Sequence, residues 1–292
     1  LLAVALDKEQ SSHNLTTGRP FGRLGLDNSY IFMDSSVYAA ERGAGSKVVV
    51  FLHGFGGCHD VWRRVISTLS PGLRTLAYDL PGHGLSLGVP GTSARSAAKA
   101  ILADLATRGR KKVHLVGHSM GGAVATLMAL SEPERVASLT LLAPGGFGTE
   151  INGPLLRRYA AAAGRNEVRT CLAAMFGPGE LPPEDIVDTL AEMRERPGQV
   201  QKLVEIAAVM TRDDRQGAIP REQLGTLAMP VMVVWGTDDA MLPVAQANDL
   251  PAQFHLHHVL EAGHMLVEEA SDLVASAVRR NTSRRPRRSA MA

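Results

Sequence analysis

Apolar positions along this chain fall into two rhythms. Short, nearly uninterrupted apolar runs at residues 47–52, 73–78, 113–117, 136–142, 231–235 and 253–259 predict buried strands, because a strand covered on both faces loses the usual alternation. Segments 59–69, 121–130, about 243–249 and about 267–278 suit helices. Another helix runs to about Arg108, with Thr92 or Ser93 as its cap, since a short hydroxyl side chain accepts bonds from first-turn amides. A weaker pattern at 30–39 suggests an opening strand pair. Strands alternating with helices across short loops predict an α/β domain with a mostly parallel central sheet flanked by helices.

The rhythm breaks between Ala143 and about Ala228, where helical stretches near 155–163, 167–176, 183–194 and 199–210 follow one another without a strand. This block reads as a helical lid inserted over the end of the sheet. The expected organisation is a loosely held arm at 1–27, a core from 28–148 and 223–278, a lid at 149–222, and an Arg-rich disordered tail at 279–292.

The apolar share, 45%, is ample for a large core. Apolar stretches such as 123–130 are far shorter than a membrane span, so no transmembrane segment is expected. The opening Leu1 to Leu6 is apolar but lacks the flanks of a secretory signal. Cys58 and Cys171 make neither a disulfide framework nor a zinc cluster, which favours a reducing cytoplasm. The formal charge of +2 hides an asymmetry. Removing Arg279, Arg280, Arg284, Arg285, Arg287 and Arg288 leaves 2 − 6 = −4 for the rest, so the basicity is local to the tail.

The sharpest chemical signal is Gly117-His118-Ser119-Met120-Gly121, placed where a strand turns directly into a helix. Side chains on both flanks would collide in such a turn, and the turn lifts the Ser119 hydroxyl clear of the sheet. A neutral hydroxyl is a weak nucleophile and needs a base. His264 fits best, lying between the last strand and the last helix, whereas His255, His257 and His258 read as edge residues. The imidazole needs a carboxylate to fix its tautomer, and the strand end at Trp235-Gly236-Thr237 offers Asp238 and Asp239, nearly tied on local chemistry. A developing oxyanion would be held by the backbone N–H groups of Met120 and of Phe55, in His53-Gly54-Phe55-Gly56-Gly57. His53, His83 and His118 lack the spacing of a metal motif and suit structural bonding, with residues 79–84 as a tight loop at the mouth. No phosphate-binding glycine motif sits at a strand-to-helix turn, and aromatic residues, at 4%, suggest no platform for nucleic-acid bases.

From about Val48 to Val278 the chain resembles the α/β-hydrolase superfamily with a serine nucleophile. The likeness is carried by His53-Gly54-Phe55-Gly56-Gly57, Asp79-Leu80-Pro81-Gly82-His83-Gly84, Gly117-His118-Ser119-Met120-Gly121-Gly122, Trp235-Gly236-Thr237-Asp238-Asp239 and Gly263-His264. It implies a Ser119, Asp239, His264 triad, the acid lying three residues after Gly236 and four before Pro243. A closer likeness, through Leu141-Leu142-Ala143-Pro144-Gly145-Gly146-Phe147-Gly148, Glu150-Ile151-Asn152-Gly153 and Ala262-Gly263-His264-Met265, is to the hydrolase-like domain of acetoin dehydrogenase acyltransferase components. Those proteins often carry a lipoyl domain in front, and Leu1 to Asp7 resembles the last strand of one. The His-x-x-x-Asp-Gly motif of true dihydrolipoyl acyltransferases is missing from this sequence.

The resemblance implies hydrolysis of an ester or thioester, with no cofactor. Leu155, Leu156, Leu172, Met175, Phe176, Leu190, Leu203, Ile206 and Met210, at near-helical spacings, predict an apolar lid interior and so a small, largely apolar acyl group. Transfer to a dihydrolipoyl, coenzyme A or alcohol acceptor, carbon–carbon bond hydrolysis and a catalytically silent binding role are the alternatives. Partners are expected to be small acyl substrates, without specific nucleic acid; oligomeric state is left open.

Overall fold

The computed structural model describes residues 36–284. In chain order the strands are β1 (Ala39–Arg42), β2 (Lys47–Leu52), β3 (Leu73–Tyr78), β4 (Val113–His118), β5 (Val136–Leu142), β6 (Val231–Gly236) and β7 (Phe254–Val259). They form one sheet in the order β1-β3-β2-β4-β5-β6-β7, parallel throughout except that β1 runs antiparallel to β3. Five of six residues of β2 and all six of β6 are buried, which accounts for their continuous apolar sequences.

The helices are α1 (Arg63–Ser67), α2 (Ala94–Thr107), α3 (Met120–Ser131), α4 (Gly153–Ala161), α5 (Arg165–Ala173), α6 (Glu184–Arg194), α7 (Gln199–Met210), α8 (Arg221–Gly225), α9 (Leu266–Glu269) and α10 (Ser271–Ser283). Of the two candidate caps, Ser93 holds α2: its hydroxyl accepts from the Ser96 amide at 3.1 Å, and Ser96 reciprocates. Helices α4 to α7 lie between β5 and β6. Their block leaves and returns at one place, where Glu150 bridges Arg215 and the Gln216 amide donates to Thr149 O at 2.9 Å.

Three expectations are corrected. The opening strand is Ala39–Arg42, later than the 30–39 segment, of which residues 30–35 lie outside the described residues. Residues 243–249 make no α-helix: a single 3-10 turn at Val244–Ala247 follows Pro243, and Asn248 returns to extended backbone with ψ 151°. Helix α10 continues through Ser283, so Arg279 and Arg280 are helical, and the tail could begin only beyond them. The arm at 1–27, including the lipoyl-like Leu1 to Asp7, and residues 285–292 lie outside the described residues.

After the edge strand β1, the chain passes through β2, steps to β3 on one side, then crosses to β4 on the other. Such a reversal opens a crevice at the carboxyl ends of the two inner strands, the place where open parallel sheets bind ligands. Leu52 and Gly117 pair across those ends, so the 53–57 loop and Ser119 emerge side by side.

Candidate active site

Ser119 is the turn between β4 and α3, with φ 51° and ψ −118°, a strained conformation for a residue with a side chain. The surrounding chain enforces it. The Ser119 amide donates to Leu142 O and the Gly145 amide donates to Ser119 O, both at 2.9 Å. A Cβ at Gly121 would come within 2.1 Å of Leu52 O, and one at Gly117 within 2.3 Å of Gly121 O, so the helix can start against the strand only without side chains there.

Asp239 and His264 follow the adjoining strands β6 and β7. Nδ1 of His264 lies 2.8 Å from Oδ2 of Asp239, both side chains buried. Oδ1 of Asp239 accepts the amides of Met241 (2.9 Å) and Leu242 (2.8 Å), which fixes the carboxylate. The two candidate acids are thereby separated: Asp238 is exposed and receives the Thr237 hydroxyl at 2.8 Å. A proton on His264 Nδ1, held by Asp239, leaves Nε2 with a free lone pair. Ser119 and His264 line one cavity without a direct hydrogen bond between them, a contact that in such sites commonly tightens only on the substrate complex.

The 53–57 loop is held from below by histidines. His83 Nε2 accepts the Gly56 amide at 3.1 Å and His53 Nε2 accepts the Leu80 amide at 2.9 Å. Burial pushes the His83 ring down to about 3, which keeps it the neutral acceptor this bond needs. His118 is driven to about 3 by burial and by the adjacent His264, and its Nε2 donates to the His264 carbonyl at 2.8 Å. All three histidines thus bind backbone. Burial opposes ionisation of Asp79, yet bonding from His59 and from the Leu85 amide holds its carboxyl below the usual range, stiffening the 79–84 loop.

Phe55 and Met120 flank Ser119, and their backbone N–H groups bond to none of the described residues. The carbonyl of Gly56, whose φ is 71°, is fixed from the helical block by the Tyr159 hydroxyl (3.3 Å) and Arg194 Nη1 (3.2 Å). Arg194 also stacks over the Tyr159 ring at 4.4 Å. Sequence reasoning missed both residues, and no local pattern in α4 or α6 marks them. Of the apolar residues expected to line the lid interior, Leu156, Met175 and Leu190 face the cavity with Ser119, Met210 faces a second cavity that also reaches Ser119, and Leu172, Leu203 and Ile206 are buried in the core. His255, His257 and His258 are exposed on β7, at the sheet edge. Among the described residues, no helix is long and apolar enough to cross a membrane.

A strand–serine–helix turn beside a reversal in strand order, with an acid after β6 and a histidine after β7, is the layout of the alpha/beta hydrolase fold. The sequence model of that family matches residues 47–271, and the chain belongs to it. The chain is similar to the dihydrolipoyllysine-residue acetyltransferase component of the acetoin cleaving system of Cupriavidus necator, 32% identical over 81% of this chain and 64% of that protein. It thus spans less than two thirds of that relative's length. It is also similar to a 2-hydroxy-6-oxononadienedioate/2-hydroxy-6-oxononatrienedioate hydrolase of a Pseudomonas species, 30% identical over 73% of this chain and 78% of that one. Among solved structures, a meta-cleavage product hydrolase of Pseudomonas fluorescens IP01 superposes with a TM-score of 0.73 at 21% identity, covering 84% of this chain and 94% of that one.

Proposed function

We propose that this chain is a serine hydrolase that cleaves a carboxylic ester or thioester of a small, largely apolar acyl group through an acyl-enzyme. The observation that carries the reading is the buried Asp239–His264 pair, 2.8 Å apart, opening into the cavity that Ser119 lines. His264 Nε2 takes the Ser119 proton as Oγ adds to the carbonyl carbon. The amides of Phe55 and Met120 hold the oxyanion, and loss of one such donor costs about 10²- to 10³-fold in turnover. His264 then returns the proton to the departing alcohol or thiol. Water, deprotonated by the same nitrogen, releases the acid and restores Ser119. Leu156, Met175 and Leu190 supply the apolar wall for the acyl chain.

The similarity to an acetyltransferase component supports a second reading, in which a dihydrolipoyl, coenzyme A or alcohol acceptor replaces water. The similarity to a carbon–carbon bond hydrolase supports a third. One experiment separates them: acyl release from p-nitrophenyl esters, acyl thioesters and a 2-hydroxy-6-oxodienoate, by the wild type and by Ser119→Ala, with and without dihydrolipoamide. Ester or thioester hydrolysis lost in the variant and unaffected by dihydrolipoamide is the expected result. An acylated acceptor favours transfer, dienoate cleavage alone favours the third reading, and equal rates in both proteins on every substrate defeat all three.

A further inference from the structure

Glu268 stands four residues beyond His264, on α9, and lines the Ser119 cavity. It is 8% exposed, and both carboxyl oxygens are closed off from solvent without a hydrogen-bond partner from any other residue. The groups around it are committed elsewhere. Arg63 and Arg64 bond to Asp185, Glu269 binds three backbone amides, and the Tyr159 hydroxyl donates to Gly56. Apart from Ser119, His264, His118 and Tyr159, the other side chains lining the cavity are apolar, Val61, Leu156 and Leu190 among them. A buried carboxyl with nothing to bond is costly, and an apolar side chain would fill the same space without that penalty.

We propose that Glu268 is a specificity residue of the acyl pocket, whose free oxygens receive a hydrogen-bond donor, a hydroxyl or an ammonium, carried by the substrate's acyl group away from its carbonyl carbon. The inference rests on the reading of Ser119 as the acylated nucleophile. A donor is matched in either protonation state, because a carboxyl group always keeps an accepting oxygen, whereas a ligand acceptor is matched in the neutral form alone. Burial holds the group up at about 8, so near neutral pH it meets a hydroxyl as the acid and an ammonium as the carboxylate. The preferred substrate is therefore a hydroxyacyl or aminoacyl ester in place of the plain alkyl one.

The test compares methyl esters of short straight-chain acids with their hydroxy- and amino-substituted counterparts across a range of chain lengths, read by proton release near neutral pH. At one length the wild type should favour a donor-bearing ester over the alkyl ester by about tenfold or more in kcat/KM, and Glu268→Leu should reverse that ratio. Glu268→Gln should keep a hydroxyl preference and lose an ammonium preference, which tells the two donors apart. Equal ratios in all three proteins, or an alkyl preference at every length in the wild type, overturn the proposal. If no ester turns over, the hydrolase reading fails on its own, and binding decides the role of Glu268. Calorimetry of Ser119→Ala, with and without Glu268→Leu, against alkyl amides and their hydroxyalkyl counterparts then supports the proposal if a donor preference vanishes with the carboxyl, and sinks it if affinities match.

Discussion

Oε2 of Glu269 accepts the amide of Gly263 at 2.8 Å, immediately before His264 in the chain. The same oxygen accepts the Gly177 amide at 2.8 Å, and Oε1 accepts that of Met265 at 2.9 Å. One carboxylate therefore clasps both flanks of the proposed base and joins them to the helical block, a link completed by the His264 amide donating to Met175 O at 2.7 Å. Hydrogen bonds to a charged acceptor contribute about 1.5–3 kcal/mol each, not additively. Glu269→Ala is expected to lower unfolding free energy by about 3 kcal/mol and turnover about tenfold, with a smaller change in KM. Urea titration alongside steady-state kinetics checks it. Unchanged turnover in a destabilised variant would mean that the clasp serves folding alone.

The two neighbouring acids should behave differently. Asp239→Asn keeps the shape of the side chain but can stabilise the wrong imidazole tautomer, and comparable substitutions in serine enzymes cost about 10⁴-fold in kcat. Asp238→Asn touches an exposed contact with Thr237 and should leave kcat within about twofold. Parallel kinetics on the two variants settle the assignment; equal losses would contradict it.

The block α4–α7 meets the His264 loop backbone to backbone. A Cβ on Gly263 would stand 2.4 Å from Met175 O, and one on Gly177 would stand 2.0 Å from Glu261 O. Neither neighbour is a flexible side chain that could swing away. Gly263→Ala should therefore cost several kcal/mol of stability by forcing the two segments apart, the range of overpacking and strain. Gly225→Ala, where an added Cβ meets nothing within 4 Å, should be neutral or slightly stabilising. Thermal melts of the pair distinguish steric closeness from a general intolerance of alanine.

These contacts also mark where the sequence ceased to be readable. The sheet was legible because buried parallel strands spell continuous apolar runs, and the Ser119 turn because its glycines sit where any side chain would strike Leu52 or Gly121. Asp238 and Asp239 could not be told apart locally: they are adjacent, and the turn that sends one inward is closed by the amides of Met241 and Leu242. The 243–249 segment misled because its apolar spacing fits a helix, while Pro243 and the extended Asn248 leave room for a single turn. Tyr159, Arg194, Glu268 and Glu269 act across long sequence separations or against a cavity wall, so nothing near them in the chain distinguishes them from ordinary helix residues.

Glu268 should leave a mark on stability as well as on specificity. Its carboxyl ionises near 4.5 in a solvated chain and is raised to about 8 in the fold, chiefly by burial, with its own backbone amide, Arg64 and Arg63 opposing the rise and Glu269 adding to it. Between those values the folded protein holds a proton that the unfolded chain has released. The unfolded state thus binds fewer protons, and stability declines as pH rises. The contribution is intact below about 4.5, wanes through the window and is gone above about 8. A tenfold difference in proton affinity between the two states is worth about 1.4 kcal/mol, so the decline amounts to a few kcal/mol. Glu268→Gln carries no such proton and should lose the slope, whereas the pH dependence of the rest of the molecule is common to both proteins and cancels in their difference. Denaturant unfolding of wild type and Glu268→Gln across this window should therefore show a stability difference that moves in favour of the variant with rising pH. A difference that stays flat would mean that the carboxyl finds a partner or water in solution and is not held neutral by the cavity.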